Sequence, residues 1–299
     1  MKRYMVLATA ALAVATALGA TSVMRWGYRG HEMTGHAAAA NLPKDMPEFF
    51  RKSVAQLTYL NPEPDRWRAP DSLSREMNQA FQYDHYVDLE ALPAGALDAR
   101  DRWDYWARAQ AGGVTKVGDA GFLPYRILEL YERLEHEFQL WRNAKDEHQR
   151  EFIEQRIIND AGIMGHYVAD AANPHHTTVH HDRWADGYPN PNNYTTEKGF
   201  HSRFESKYVE THIEDEDVIR LTRDPQRVGD VRAAVLQHIN SSHALLNQLY
   251  DLNKQEAFGP DTKSAAHKQF TVDRLAAGAN VLRDLWWTAW VKSGEPGAH

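Results

Sequence analysis

Apolar residues recur at intervals of three and four along most of this 299-residue chain, and that period decides what it can fold into. In "LPYRILELYERLEHEFQLWRNA" (123–144), Ile127, Leu130, Leu134, Phe138 and Trp141 share one helix face. In "DARDRWDYWARAQAG" (98–112), Trp103, Trp106 and Ala107 do the same. Segments 146–173, 231–252 and 264–294 carry the pattern too, and no series alternates with period two. An all-α fold is predicted, a single multi-helix domain over 26–299. Two stretches break the pattern, 61–90 and 176–199. The second is rich in Pro, Asn and aromatics, and a long loop in a compact body usually has a function.

The helix ending near residue 173 closes on "GHYVADAANPHH" (165–176). His166 and Asp170 are four apart, so both point from one face and can hold one metal or bridge two. Asn173-Pro174 stops the helix and His175 and His176 follow. The spacing repeats as His201 and Glu205 in "GFHSRFESKYVE". Gly165 and Ala169 keep the flanks of the first pair small. Met164, Tyr167 and Val168 mark the helix as buried, where His and Asp need partners. Upstream, "QYDHYVDLE" sets His85 among aromatics, with Asp84 and Asp88 placed to orient it. "PEPDRW" offers Asp65, and "APDS" offers Asp71 for the same role. In "RWGYRGHEMTGHAAAANL", His31 opens a helix, and His36, off its face, reads as structural.

The chain has no cysteine, so any zinc site must use His, Asp and Glu. The start "MKRYMVLATAALAVATALGA" reads as a signal peptide over 1–20, which implies export to the periplasm or medium. No segment reads as a transmembrane span. Net charge is −7, and without Lys2, Arg3 and Arg25 the balance is 31 basic against 41 acidic residues. That argues against a basic surface for phosphate backbones. Bound divalent cations would offset part of the acidic excess.

In combination the motifs resemble the superfamily of bacterial zinc-dependent phospholipases C and fungal single-strand-specific nucleases. They are His166, Asp170 and His176 in order, "NPHH", "HSRFE", "DHYVDLE", "WGYRGH" and the final "RLAAGANVLRDLWWTAW", spread over 26–292. The resemblance implies a helical body with three zinc ions at the bottom of a cleft. It implies Asp65, His85, His166 and Asp170 around the first ion, and His176, His201 and Glu205 around the second. Trp26, His31 and the bridging Asp170 would hold the third. In that family the Trp is the first mature residue. Here cleavage near Ala20 leaves "TSVMR" ahead of Trp26, so further processing to residue 25 is implied if its amine is to bind.

The resemblance also implies hydrolysis of a phosphodiester, with Asp65, Asp170 and Glu205 as the catalytic carboxylates. The substrate is a phospholipid or a nucleic acid. The nucleases carry Asp where this chain has Glu205, and are typically disulfide-linked, so the phospholipase C-like reading leads. It entails transient contact with a membrane surface; no protein partner is evident. Tyr86, Trp184, Tyr188 and Tyr194 are available as an aromatic slot for a base or a headgroup. A non-catalytic alternative is zinc capture by "HHTTVHH" (175–181). His175, His180 and His181 otherwise read as solvated loop, Trp286, Trp287 and Trp290 as core, and "EDED" (214–217) as a solvated turn.

Overall fold

The computed structural model describes residues 27–68 and 75–296; the expected leader, Trp26 and Asp71 lie outside them. The described residues are helical, with one isolated bridge between Val87 and Gly121 in place of a sheet. In chain order the helices are α1 (Tyr28–Ala39), α2 (Glu48–Lys52), α3 (Val54–Leu60), α4 (Glu63–Arg66), α5 (Arg75–Phe81) and α6 (Arg102–Ala111). Then come α7 (Leu123–Arg142), α8 (Glu147–Ala172), α9 (Phe200–Ser202), α10 (Val209–His212), α11 (Asp215–Ile219), α12 (Val231–His243), α13 (Leu246–Gln255) and α14 (Ala265–Lys292). The all-α expectation is met.

Helix α8 organises the body. Asp146 caps its start by accepting from the Gln149 N–H at 2.9 Å. At 1.5 Å per residue its 26 residues span about 39 Å. Every residue from Asp160 to Ala172 is buried. It packs against α7, α14, α3 and α1, so its last turns lie inside the protein. The small residues flanking His166 serve this packing. A methyl at position 165 would stand 2.3 Å from Asn61 Nδ2 and 3.0 Å from Leu282 Cδ2. Close approach of neighbouring helices, rather than of a ligand, explains them.

A smaller apolar cluster holds the 83–122 segment: Tyr105, Ala109, Ala120, Phe122 and Tyr125 are its centre. Its chain returns through Gly121, at φ +75°, whose missing Cβ would lie 2.1 Å from the Tyr86 carbonyl oxygen. Only glycine lets the 86–88 backbone lie so close.

Several expectations are corrected. The 98–112 helix starts at Arg102, capped by Asp101, and buries Tyr105 and Ala109; Trp103 is 73% exposed. The 231–252 helix is two, α12 and α13, which part at Ala244–Leu245, where His243 Nδ1 lies 3.0 Å from the Thr177 carbonyl. No Gly or Pro marks that break, because its cause is tertiary. The 61–90 stretch contains α4, α5 and a 3₁₀ turn over Gln82–His85. The acidic run opens α11: Asp215 pairs with Arg29 and His36, and Asp217 with Arg220 and Lys268. His36 is thereby structural, as expected. Trp286 is fully buried, with Trp287 and Trp290 packed partly buried against the core.

One buried acid pair sets a pH dependence of stability. Glu137 of α7 and Asp160 of α8 are buried, with Arg156 3.1 Å from the first and Arg133 2.6 Å from the second. Burial, then the Asp160 charge, pushes Glu137 from 4.5 up to about 7, against the arginines. Between those values the folded chain keeps a proton that the unfolded chain has released, so stability falls as pH rises through the window. Glu137→Gln is expected to flatten that slope in urea unfolding midpoints measured across it. An unchanged slope would contradict the assignment.

Candidate metal centre

Seven elements deliver donor groups to one place. α1 brings His31, α4 brings Asp65, and the 3₁₀ turn after α5 brings His85. The last turns of α8 bring His166 and Asp170, and the turn over Pro174–Thr177 brings His176. His201 stands on α9 and Glu205 on the π-helical turn Arg203–Tyr208 that continues it. π-turns are rare and concentrate at functional sites.

The contacts separate into three groups. His85 Nδ1, His166 Nε2 and Asp170 Oδ2 lie 2.9, 3.1 and 3.2 Å from one another, with Asp65 Oδ1 4.0 Å from His85. His176 Nε2, His201 Nε2 and Glu205 Oε2 lie 2.7, 3.1 and 3.4 Å apart. His31 Nε2 lies 3.5 Å from Asp170 Oδ1, and its ring stacks on His166 at 3.8 Å. Asp170 therefore turns Oδ2 to one group and Oδ1 to another.

Zinc with bonds of 2.0–2.1 Å in tetrahedral geometry holds its ligand atoms about 3.3 Å from each other. The observed spacings, 2.7–4.0 Å, bracket that value, and most lie within about 0.4 Å of it. Imidazole nitrogens facing one another at such distances, each also facing a carboxylate oxygen, form a donor set suited to a divalent cation. The residues present fit zinc.

The outer contacts fix the rings. His166 Nδ1 lies 3.0 Å from the Asn61 carbonyl, and His176 Nδ1 2.7 Å from the His85 carbonyl. Donation to those carbonyls leaves each Nε2 as a lone pair facing its group. Val87 N–H donates to the His176 carbonyl at 2.9 Å, tying the two histidine-bearing segments together. Asn173 accepts from the His175 N–H with its side-chain oxygen and donates to Glu205 Oε2 at 3.4 Å.

The field matches. Burial opposes ionisation of Asp170 and Glu205, yet the surrounding histidines hold both carboxyls well below their ordinary value. Burial likewise opposes charge on His176, but Asp170 and Glu205 push it up to about 9. Burial dominates at His31 and His85 and keeps both neutral. The carboxylates thus favour positive charge at this spot, which a proton on His176 supplies when no cation does, while the rings of His31 and His85 stay neutral.

These residues floor a cleft of about 490 Å³ whose walls include Arg68, Tyr86, Asp88, Asp182, Ser202 and Lys207. All the expected donors within the described residues, His31, Asp65, His85, His166, Asp170, His176, His201 and Glu205, line it or its floor. Trp26 and Asp71 fall outside the described residues. Asp65 joins His85 and His166 in one group.

Other expectations are corrected here. Asp84 does not orient His85; its carboxylate meets Arg102 at 3.0 Å and Arg126 at 3.6 Å. Asp88 faces the cleft instead. The orienting acceptors are main-chain carbonyls, invisible in a side-chain reading. Trp184, Tyr188 and Tyr194 form no slot on the cleft. Trp184 stacks on His180 at 3.9 Å and packs with Tyr194 on Tyr250, and Tyr188 meets the His180 edge. His175 and His180 are buried rather than solvated, and only His181 is exposed. Asn61 and Asn173 were missed; Asn173 before Pro174 carries a recognisable cap signal, while Asn61 carries none.

Gly165→Ala tests this support. The added methyl must displace Asn61, whose carbonyl meets the His166 ring. A loss of about 1–3 kcal/mol in urea unfolding is expected, with weaker zinc retention in dialysis. Unchanged stability and retention would contradict the contact.

No protein-family model and no curated protein sequence matches the chain. Among solved structures it is similar to the alpha toxin from Clostridium absonum, at 11% identity and a TM-score of 0.45. The likeness covers 90% of this chain, which spans 65% of the length of that one.

Proposed function

We propose that this protein is an exported zinc-dependent hydrolase of phosphoric esters, phospholipase C-like, whose centre holds three ions. The observation that carries the reading is the convergence of His31, Asp65, His85, His166, Asp170, His176, His201 and Glu205 on one cleft floor at metal-ligand spacing.

Asp65, His85, His166 and Asp170 would hold one ion, and His176, His201 and Glu205 a second. His31 and Asp170, with the amine and carbonyl of Trp26, would hold the third. What zinc supplies at such a centre is Lewis acidity toward phosphoryl oxygens and activation of water near neutral pH. Asp170 joins two of the groups and fixes their spacing. Glu205, held by His176, His201 and Asn173, orients the second group. Asp65, kept by burial above the ordinary carboxylate value, accepts the proton of the attacking water. No side-chain nucleophile is needed.

The phospholipid reading is favoured over a nuclease of the same type. Trp184 and Tyr194 pack around His180 and Tyr250 and Tyr188 lies off the cleft, which leaves Tyr86 as its Phe, Tyr or Trp wall among the described residues. Stacking successive bases needs more than one ring. Among the described residues no helix is long and apolar enough to cross a membrane, so the lipid would be met at a membrane surface. The test is hydrolysis by zinc-loaded protein of phosphatidylcholine, single-stranded DNA and RNA, and 3′-nucleotides, before and after chelation. Phospholipid turnover that disappears with the metal is expected. Turnover surviving verified zinc removal, or confined to nucleic acid, would reject the reading in its mechanism or its substrate. Zinc binding without any turnover would favour capture.

A further inference from the structure

Asp88 is a buried carboxylate that the ligand set does not use. It follows His85 and Tyr86 in an extended stretch anchored on both sides. Val87 N–H donates to the His176 carbonyl at 2.9 Å, and Asp88 N–H to the Ala120 carbonyl at 3.0 Å. The residue is 7% exposed and lines the same cleft as Tyr86, Gly118 and His176. Outside the donor groups, other buried carboxylates meet an arginine: Asp84 meets Arg102, Asp160 meets Arg133, and Asp284 meets Arg223. The Asp88 carboxylate accepts no hydrogen bond and makes no ion pair among the described residues. A buried carboxyl without a partner costs stability unless it carries a proton or meets a ligand. Here it lines the cleft.

We propose that Asp88 is the general acid that protonates the departing ester oxygen. The proposal rests on the phosphoester-hydrolase reading above. The water oxygen forms a bond to phosphorus. The bond from phosphorus to the ester oxygen breaks, its electron pair stays on that oxygen, and the oxygen takes the Asp88 proton. The proton of the attacking water passes through Asp65 to solvent, and Asp88 is reprotonated from solvent. The sum is ester plus water to phosphoric monoester plus alcohol.

The surroundings suit the role. Facing Asp88 are Tyr86 and Glu90 of its own segment, Asp119 of the turn Val117–Asp119, His176 of the turn Pro174–Thr177, and Tyr105 of α6. Burial, then the charges of Glu90 and Asp119, push the carboxyl up to about 7, with His176 opposing. An acid of that strength still holds its proton near neutrality and gives it up readily.

The test compares leaving groups. A soluble short-chain phosphatidylcholine leaves as a strongly basic alkoxide and needs a proton; bis(4-nitrophenyl) phosphate leaves as a weakly basic phenolate and does not. Asp88→Asn, checked for wild-type zinc content and circular dichroism, is expected to lose about 10²–10⁴-fold on the lipid and little on the nitrophenyl ester. In the wild type, lipid kcat should fall as pH rises through neutrality, and the variant should lack that limb. Asp119→Asn, at an exposed position, should move the limb to lower pH without changing the plateau. Equal losses on both substrates, no loss on the lipid, or a limb unmoved by Asp119→Asn overturns the proposal while leaving the hydrolase reading intact. Wild-type protein inert toward both substrates removes the hydrolase reading, and this proposal with it.

Discussion

Asp170→Asn is expected to strip most of the bound divalent metal and to lower phosphoester hydrolysis by about 10³-fold or more, the several kcal/mol that metal catalysis supplies. Asp170 presents its two oxygens to two sets of donors. Its Oδ2 faces His85 and His166 at 3.1 and 3.2 Å, and its Oδ1 faces His31 at 3.5 Å. An amide keeps the shape, loses the charge and cannot bridge two cations with two oxygens. The imidazoles would still offer lone pairs, but less negative charge would balance that of a divalent ion. Zinc content by mass spectrometry and turnover on the same sample check it. A variant that keeps both would mean that Asp170 is a polar core residue and nothing more.

Arg283→Ala should cost about 3 kcal/mol or more of stability, the largest structural effect expected outside the apolar core. Arg283 lies on α14 and is 2% exposed. Its guanidinium donates to the carbonyls of Ala37, Ala38, Ala40 and Asn41, the end of α1. The chain leaves that helix through Asn41 in the left-handed region, φ 53°. A buried cation thus satisfies carbonyls that have no helical partner and sits at the negative end of the α1 dipole. Alanine leaves all of them stranded. Lysine restores charge but not the fork, and should recover only part of the loss. Because α1 carries His31, zinc retention should weaken alongside the urea midpoint. A cost under about 1 kcal/mol would show that water satisfies this helix end instead.

How much of this was legible in the sequence follows from which interactions are local. The periodicity of α7, α8 and α14 is a property of each segment, and all three stand where it placed them. The i, i+4 pairs His166/Asp170 and His201/Glu205 are local too, and each falls within one donor group or between two. That Asp65 reaches His85 and His166 is not local: it depends on how α4 docks on α8, which no spacing encodes. The α12–α13 break answers a contact with Thr177, some 66 residues away in sequence. The aromatic slot failed for the same reason: Trp184 and Tyr194 found Tyr250 on a distant helix, and burial outweighed presentation to a ligand. The ring-orienting carbonyls of Asn61 and His85 belong to the main chain, so no residue type announces them.

The most direct measurement is anomalous scattering at the zinc absorption edge from crystals of the zinc-loaded protein. The account predicts strong peaks on the cleft floor: between His85, His166 and Asp170; between His176, His201 and Glu205; and beside His31 and Asp170. A floor without anomalous density in protein shown to be saturated with zinc, or peaks only on surface histidines such as His148, would contradict it.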